Sequence, residues 1–233
     1  MELSEFEKIL NFTFTNKDLL KTALTHRSYL NEHRDYPLPH NERLEFLGDA
    51  VLELAVTGYL YEHFPNPEGE LTNLRSALVN YKMLSAVAAE LEFGKFLLLS
   101  RGEAKDQGRA RAVILANAIE ALIGAMYLDG GFDRTHKFIK ERILALLPGI
   151  IKNGTYIDPK SRLQELVQEK SGITPNYQVI SEIGPDHNKV FTMGVYVGKT
   201  EVGQGTGPSK QEAELSAAEQ ALTTAKWEKA VGL

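Results

Sequence analysis

Acidic residues return at three- and four-residue spacing in HNERLEFLGDAVLEL, residues 40–54: Glu42, Glu45, Asp49 and Glu53. On a helix of ~100° per residue these four share an arc of about 80°. Leu44, Leu47, Val51, Leu54 and Ala55 fall on the opposite side. The run therefore predicts a helix with one apolar face for a core and one face of carboxylates. Like charges at these spacings repel by a few tenths of a kcal/mol per pair, and only Arg43 stands nearby in sequence to offset them. Two readings are open, a solvated acidic face and a cation site whose hard oxygen ligands suit Mg²⁺ or Mn²⁺. Gly48 interrupts the same helix at a cost of up to ~1 kcal/mol relative to Ala, which predicts a close approach of something to its backbone. Phe46 flanks the carboxylates, either as a partner surface or packed under a loop.

A second pair of oxygen-bearing side chains lies in VILANAIEALIGAMYLDGG, where Asn117 and Glu120 stand three residues apart among Leu115, Ile119, Leu122 and Ile123. A helix this apolar is central to its domain, and polar groups on it need partners. The pair either faces the acidic stripe with a cation between them or sits on an exposed helix edge.

Helices must position these groups. Apolar residues recur at helical spacing at Phe6, Ile9 and Leu10, then at Leu19, Leu20, Ala23 and Leu24; further helices are expected over 42–62, 72–91, 111–128 and 132–147, with Thr72 as an N-cap. LPGIIKNGTYIDPK breaks the pattern with Pro, Gly and Asn-Gly. This gives an all-α domain over 1–148, a linker over 149–157 and a second domain over 158–227. In the second, SRLQELVQEKSG is a short helix ending at Gly172. NYQVISEIG and KVFTMGVYVG alternate as strands, the latter with Phe191, Met193, Val195 and Val197 on one face, and TEVGQGT is a weaker third strand. SKQEAELSAAEQALTTA is a helix with Ala213, Ala217, Ala221 and Ala225 stacked. The expected fold is thus multi-domain: all-α, then a small α+β unit of order α-β-β-β-α, with two helices over one face of an antiparallel sheet.

The motifs together are recognisable. LTHRSYLNEH, HNERLEFLGDAVLEL, EGELTNLRSALVN and ILANAIEALIGAMYLDGG, in that order, closely resemble the signature stretches of the ribonuclease III family. The tail, with GPDHNKVF and GTGPSKQEAE, resembles a double-stranded RNA-binding domain. The resemblance covers nearly the whole chain in the domain order of the bacterial enzymes. It implies a homodimeric, Mg²⁺-dependent endoribonuclease that cuts double-stranded RNA. The ends would be 5′-phosphate and 3′-hydroxyl with short 3′ overhangs, and the substrates rRNA and other structured precursors. By motif position Glu45, Asp49 and Glu120 match the family's metal-binding carboxylates, and Asn117 stands where a fourth, commonly Asp, is usual. Glu42 and Glu68 match acidic residues that help assemble the cleavage centre across the dimer. Phe46 matches an aromatic that plugs into the partner subunit. The residue types agree with this chemistry, because two-metal hydrolysis of a phosphodiester needs no Ser-His-Asp set.

Duplex RNA is read by shape, through 2′-hydroxyls and phosphates across the minor groove. By resemblance Ser161, Gln164, Glu165 and Gln168 occupy minor-groove positions on one face of the first helix of the tail. His187 lies in the loop that inserts, and Ser209 and Lys210 open the last helix, whose amides hold a phosphate. Gln211 stands where a second Lys is common. Two Gly-bearing stretches are decoys. GVYVGKT lacks the first Gly of a phosphate loop and leads into a strand, and GQGTG follows no βαβ unit.

Bulk composition bounds the rest. The 233 residues carry a net charge of −5, and from Asp158 onward 8 Lys and Arg face 10 Asp and Glu, so an RNA surface must be a local basic patch. With no cysteine there is no disulfide and no thiolate metal site. MELSEFEKIL is acidic and amphipathic, unlike a signal peptide, and no apolar run reads as long enough to span a bilayer. The expectation is a soluble cytoplasmic protein with no membrane partner and no organic cofactor. Two other classes compete: a non-cleaving RNA-binding or ribosome-associated protein on the same fold, towards which only Asn117 points, and a di-iron carboxylate protein. The last wants a Glu-x-x-His pair, which the chain lacks.

Overall fold

A computed structural model describes residues 3–105, 107–154, 156, 158–185 and 189–232. The chain divides into two compact units, 1–156 and 157–233. The first is helical: α1 Leu3–Leu10, α2 Lys17–Ala23, α3 Arg27–Glu32, α4 Glu42–His63, α5 Glu68–Val79, α6 Tyr81–Glu90, α7 Arg109–Arg142 and α8 Leu147–Asn153. The second runs α9 Pro159–Ser171, β1 Asn176–Ile183, β2 Val190–Val197, β3 Thr200–Gly207, α10 Lys210–Thr224 and α11 Lys226–Ala230.

The centre of the first unit is the crossing of α4 and α7. Ala118, Ile119, Ala121, Leu122, Ile123 and Ala125 of α7 are fully buried. Composition alone makes the Arg109–Asn153 stretch long and apolar enough to cross a membrane, contrary to the expectation from sequence, but half of its apolar window is buried against the unit's own core. Asn41 fixes the start of α4. Its Nδ2 donates to the Ala23 carbonyl (3.3 Å), and its N–H donates to the Thr25 carbonyl (2.9 Å).

Several element boundaries differ from the sequence reading. The helix expected over 72–91 starts at Glu68, behind Pro67, and breaks at Asn80. The Asn80 side chain caps α6 by accepting from Met83 N–H (3.0 Å) and donates back to the Ser76 and Ala77 carbonyls. Thr72, expected as an N-cap, is inside α5. The helices expected over 111–128 and 132–147 are the two legs of α7, joined across Gly131 at φ 74°. The linker expected over 149–157 gives way to α8 as far as Asn153, with Leu147 and Ile150 in the core. Leu54 was expected in the core face of α4 but is 63% exposed, because the buried face is centred on Leu44, Gly48, Leu52 and Ala55.

In the second unit the sheet order is β1-β2-β3, antiparallel throughout. Gly203, Gly205 and Gly207 alternate towards the helices. A Cβ at Gly203 would lie 2.5 Å from the Ala217 carbonyl oxygen, one at Gly205 2.5 Å from the Ala213 carbonyl oxygen, and one at Gly207 2.7 Å from Ala213 N. The Gly-x-Gly-x-Gly run is thus a seat for the Ala face of α10, which brings strand and helix backbones nearly into contact. Trp227 of α11 closes this core at 6% exposure.

Candidate active site and RNA-binding face

Two glycines set the geometry of the acidic cluster. A Cβ on Gly48 would overlap the Glu120 carbonyl oxygen and lie 2.8 Å from Gly124 N; a Cβ on Gly124 would overlap the Leu44 carbonyl oxygen. With hydrogen at both positions, α4 and α7 cross backbone to backbone. Glu45 and Asp49 flank Gly48, while Asn117 and Glu120 lie on the adjoining turns of α7. Short side chains can therefore meet across the crossing.

They do meet. The Asn117 amide lies close enough to the Glu45 carboxyl to favour its charged form. Burial raises the Glu45 carboxyl above its ordinary value, and the charges of Glu42 and Asp49 add to the rise. Glu120 is pushed up to about 7, first by burial and then by Asp49, Glu45 and Glu53. These five carboxylates come from the stripe on α4 and the centre of α7, and every charge acting on Glu120 is negative. Among the described residues, no three acidic or histidine side chains are already drawn together at ligand spacing. The donors converge on a common region without forming a closed cage.

Glu53 was placed on the stripe by sequence but given no role, although its charge reaches Glu120. Its spacing from Asp49 was the available signal. Glu42 is exposed at the start of α4 and is paired with Arg27, whose Nη1 lies 3.4 Å from Oε1; His40 Nδ1 stands 3.7 Å from Oε2 without a hydrogen bond. No spacing rule connects Arg27 with Glu42, since α3 and α4 meet only in the fold. Glu68 does not join this cluster. It lines a separate cleft with Thr57, Tyr61, Leu71 and Arg75. Phe46 is 82% exposed, and Leu54 and Tyr61 are exposed on the same helix at 63% and 80%.

In the second unit Ser161, Gln164, Glu165 and Gln168 point outward from α9, while Leu163 and Val167 fill the core behind them. Gln168 Nε2 donates to Thr174 Oγ1 (2.9 Å). Ser209 caps α10, its Oγ accepting from Glu212 N–H (3.2 Å). Lys210 is exposed beside it and ion-paired to Glu182. His187 lies outside the described residues.

The likeness to known proteins follows the same division. Residues 16–147 match the family model described as ribonuclease-III-like, and residues 159–224 match the double-stranded RNA binding motif. Ribonuclease 3 of Borreliella afzelii is 49% identical over 222 residues, covering 95% of this chain and 90% of its own length. The chain belongs to the ribonuclease III family. Ribonuclease 3 of Oceanobacillus iheyensis is also 49% identical, over 224 residues that cover 95% of this chain and 97% of its own. Among solved structures, the nuclease domain of ribonuclease III from Campylobacter jejuni matches 63% of this chain and 99% of its own length, with a TM-score of 0.57 and 40% identity. That structure is described as flexible in a region involved in dimer formation. The ribonuclease III assignment thus rests on both units, each in its own part of the chain.

Proposed function

We propose that this chain is an endoribonuclease that hydrolyses double-stranded RNA with a divalent cation, Mg²⁺ with Mn²⁺ as substitute, and works as a homodimer on rRNA and other structured precursors in the cytoplasm. The observation that supports the reading is the Gly48–Gly124 crossing, which sets the α4 turns of Glu45 and Asp49 against the α7 turns of Asn117 and Glu120. The fit to a cation is electrostatic. Burial and mutual repulsion raise Glu45 and Glu120, and a divalent ion among them would offset both effects. Asn117 supplies an amide where a fourth carboxylate would add another like charge.

A bound cation would lower the pKa of a water and stabilise the departing oxygen. Glu45, Asp49 and Glu120, with Asn117, would hold it against the scissile phosphate. Water adds to phosphorus as the bond to the 3′ oxygen breaks, and the proton released by the water balances the one the 3′ oxygen gains. The products are a 5′-phosphate and a 3′-hydroxyl; cuts staggered between two subunits leave a short 3′ overhang. Exposed Phe46, Leu54 and Tyr61 on α4 give an apolar face that a second copy would cover. In this reading Glu42 and Glu68 complete the cleavage centre between subunits.

The test is incubation of the purified protein with a long duplex RNA in Mg²⁺ and in EDTA, beside Glu120→Gln. Cleavage is expected only for the unsubstituted protein with Mg²⁺. Cutting that persists in EDTA or in the variant overturns the metal assignment, and binding without cutting in Mg²⁺ favours the non-cleaving RNA-binding protein.

A further inference from the structure

Two lysines of the second unit converge on one carboxylate. Lys210 Nζ, at the first residue of α10, lies 3.2 Å from Glu182 Oε1, and Lys189 Nζ, just ahead of β2, lies 3.7 Å from Glu182 Oε2. Strand register explains how an acidic residue reaches this place. Val179 pairs with Met193 and Glu182 pairs with Phe191. Met193 and Phe191 are two apart on β2 and so share the face that looks towards the helices. Val179 and Glu182 are three apart and would lie on opposite faces of a regular strand. The irregularity between Val179 and Ser181 absorbs the extra residue and turns Glu182 to the helix side. There it meets Lys210, whose ammonium also lies 5.7 Å from the centre of the Phe191 ring.

Lys210 is the cation expected to meet RNA phosphate at the start of α10, and Gln211 adds no second charge beside it. Duplex affinity rests largely on such contacts. In the free protein, however, a carboxylate already occupies Lys210. The groups are part-exposed, with side chains 56% and 37% accessible for Lys210 and Glu182. An exposed pair of this kind adds little to folding stability, so it is easily given up. With Glu182 between them, the two lysines present one positive charge fewer to an incoming phosphate.

We propose that Glu182 is a built-in competitor for the RNA phosphate. It holds Lys210 and Lys189 in the free protein, surrenders them when duplex RNA binds, and so limits the affinity of the RNA-binding unit. The inference rests on the RNA-binding reading of that unit. A competitor of this kind favours release of cut duplex, because each departing phosphate is replaced by a carboxylate held within reach.

The experiment uses the full chain in EDTA, so that duplex RNA is bound without being cut, and measures affinity over a range of NaCl concentrations. Glu182→Gln is expected to tighten binding roughly three- to tenfold near physiological salt and to steepen the logarithmic salt dependence by up to about one unit. In a Lys210→Ala background the gain should largely vanish. Equal or weaker binding by Glu182→Gln, or the same gain without Lys210, overturns the proposal. If the unsubstituted protein fails to bind duplex RNA at all, the RNA-binding reading falls and the competitor falls with it. A thermal melt of Glu182→Gln close to that of the unsubstituted protein excludes lost folding as the source of any weakening.

Discussion

Replacing Gly48 by Ala puts one methyl group between two helix backbones. The new Cβ would overlap the Glu120 carbonyl oxygen and stand 2.8 Å from Gly124 N, whereas ordinary contact begins at 3.4 Å. Neither obstacle is the end of a flexible side chain, so relief requires α4 and α7 to part by more than an ångström. Overpacking of this kind costs about 1–3 kcal/mol, and a clash with backbone belongs at the upper end. Helix propensity returns up to ~1 kcal/mol for Gly→Ala. The net loss is about 1–2 kcal/mol, which lowers Tm by about 2–8 °C at this size. Gly58→Ala is the internal control: it lies on the same helix with nothing within 4 Å of its Cβ position. It gains the propensity without the clash and should raise Tm by about 2–4 °C. The same displacement separates Glu45 and Asp49 from Glu120, and a misplacement of about 1 Å in a reacting centre costs about 100-fold in rate. Thermal melts at one fixed protein concentration, with duplex-RNA cleavage assayed at a temperature where both variants are folded, test the two effects together. If Gly48→Ala matches Gly58→Ala in both stability and rate, the backbone crossing does not assemble the site.

Two further outcomes follow from the same structure. Glu120 has a folded-state pKa of about 7 against an ordinary value of 4.5. Between those values the folded state holds a proton that the unfolded chain has lost, so stability in EDTA should fall as pH rises from 5 to 8. Mg²⁺ should restore it, Glu120→Gln should flatten the fall, and parallel urea-unfolding profiles for the two proteins would remove Glu120 as the cause. Phe46 is 82% exposed in the single chain, so Phe46→Ala should leave the fold intact but raise the concentration at which dimers form. Sedimentation showing unchanged dimerisation would take Phe46 out of the interface.

Local sequence determined much of this protein. The carboxylate spacing placed Glu45, Asp49 and Glu53 on one helical face, and the change from helical to alternating periodicity divided the helical unit from the α-β-β-β-α unit. Gly172 marked the end of α9, since a left-handed residue (φ 68°) closes that helix. These are short-range properties, set by 3.6-residue and two-residue periods and by conformations open mainly to glycine. Gly48 announced a close approach but not the identity of what approaches. Tertiary structure alone decided that Gly124 of α7 lies opposite, that Asn117 faces Glu45, and that Arg27 and His40 stand near Glu42. It also exposed Leu54, because the buried sector of α4 is defined by where α7 crosses and not by the helix's own apolar moment. In the second unit, the alternation of β1 put Glu182 on the face opposite Val179, and only pairing with β2 revealed the irregularity that turns it towards Lys210. Periodicity fixes which residues share a face of one element; contact between elements depends on register and crossing angle, which are set by packing across distant parts of the chain.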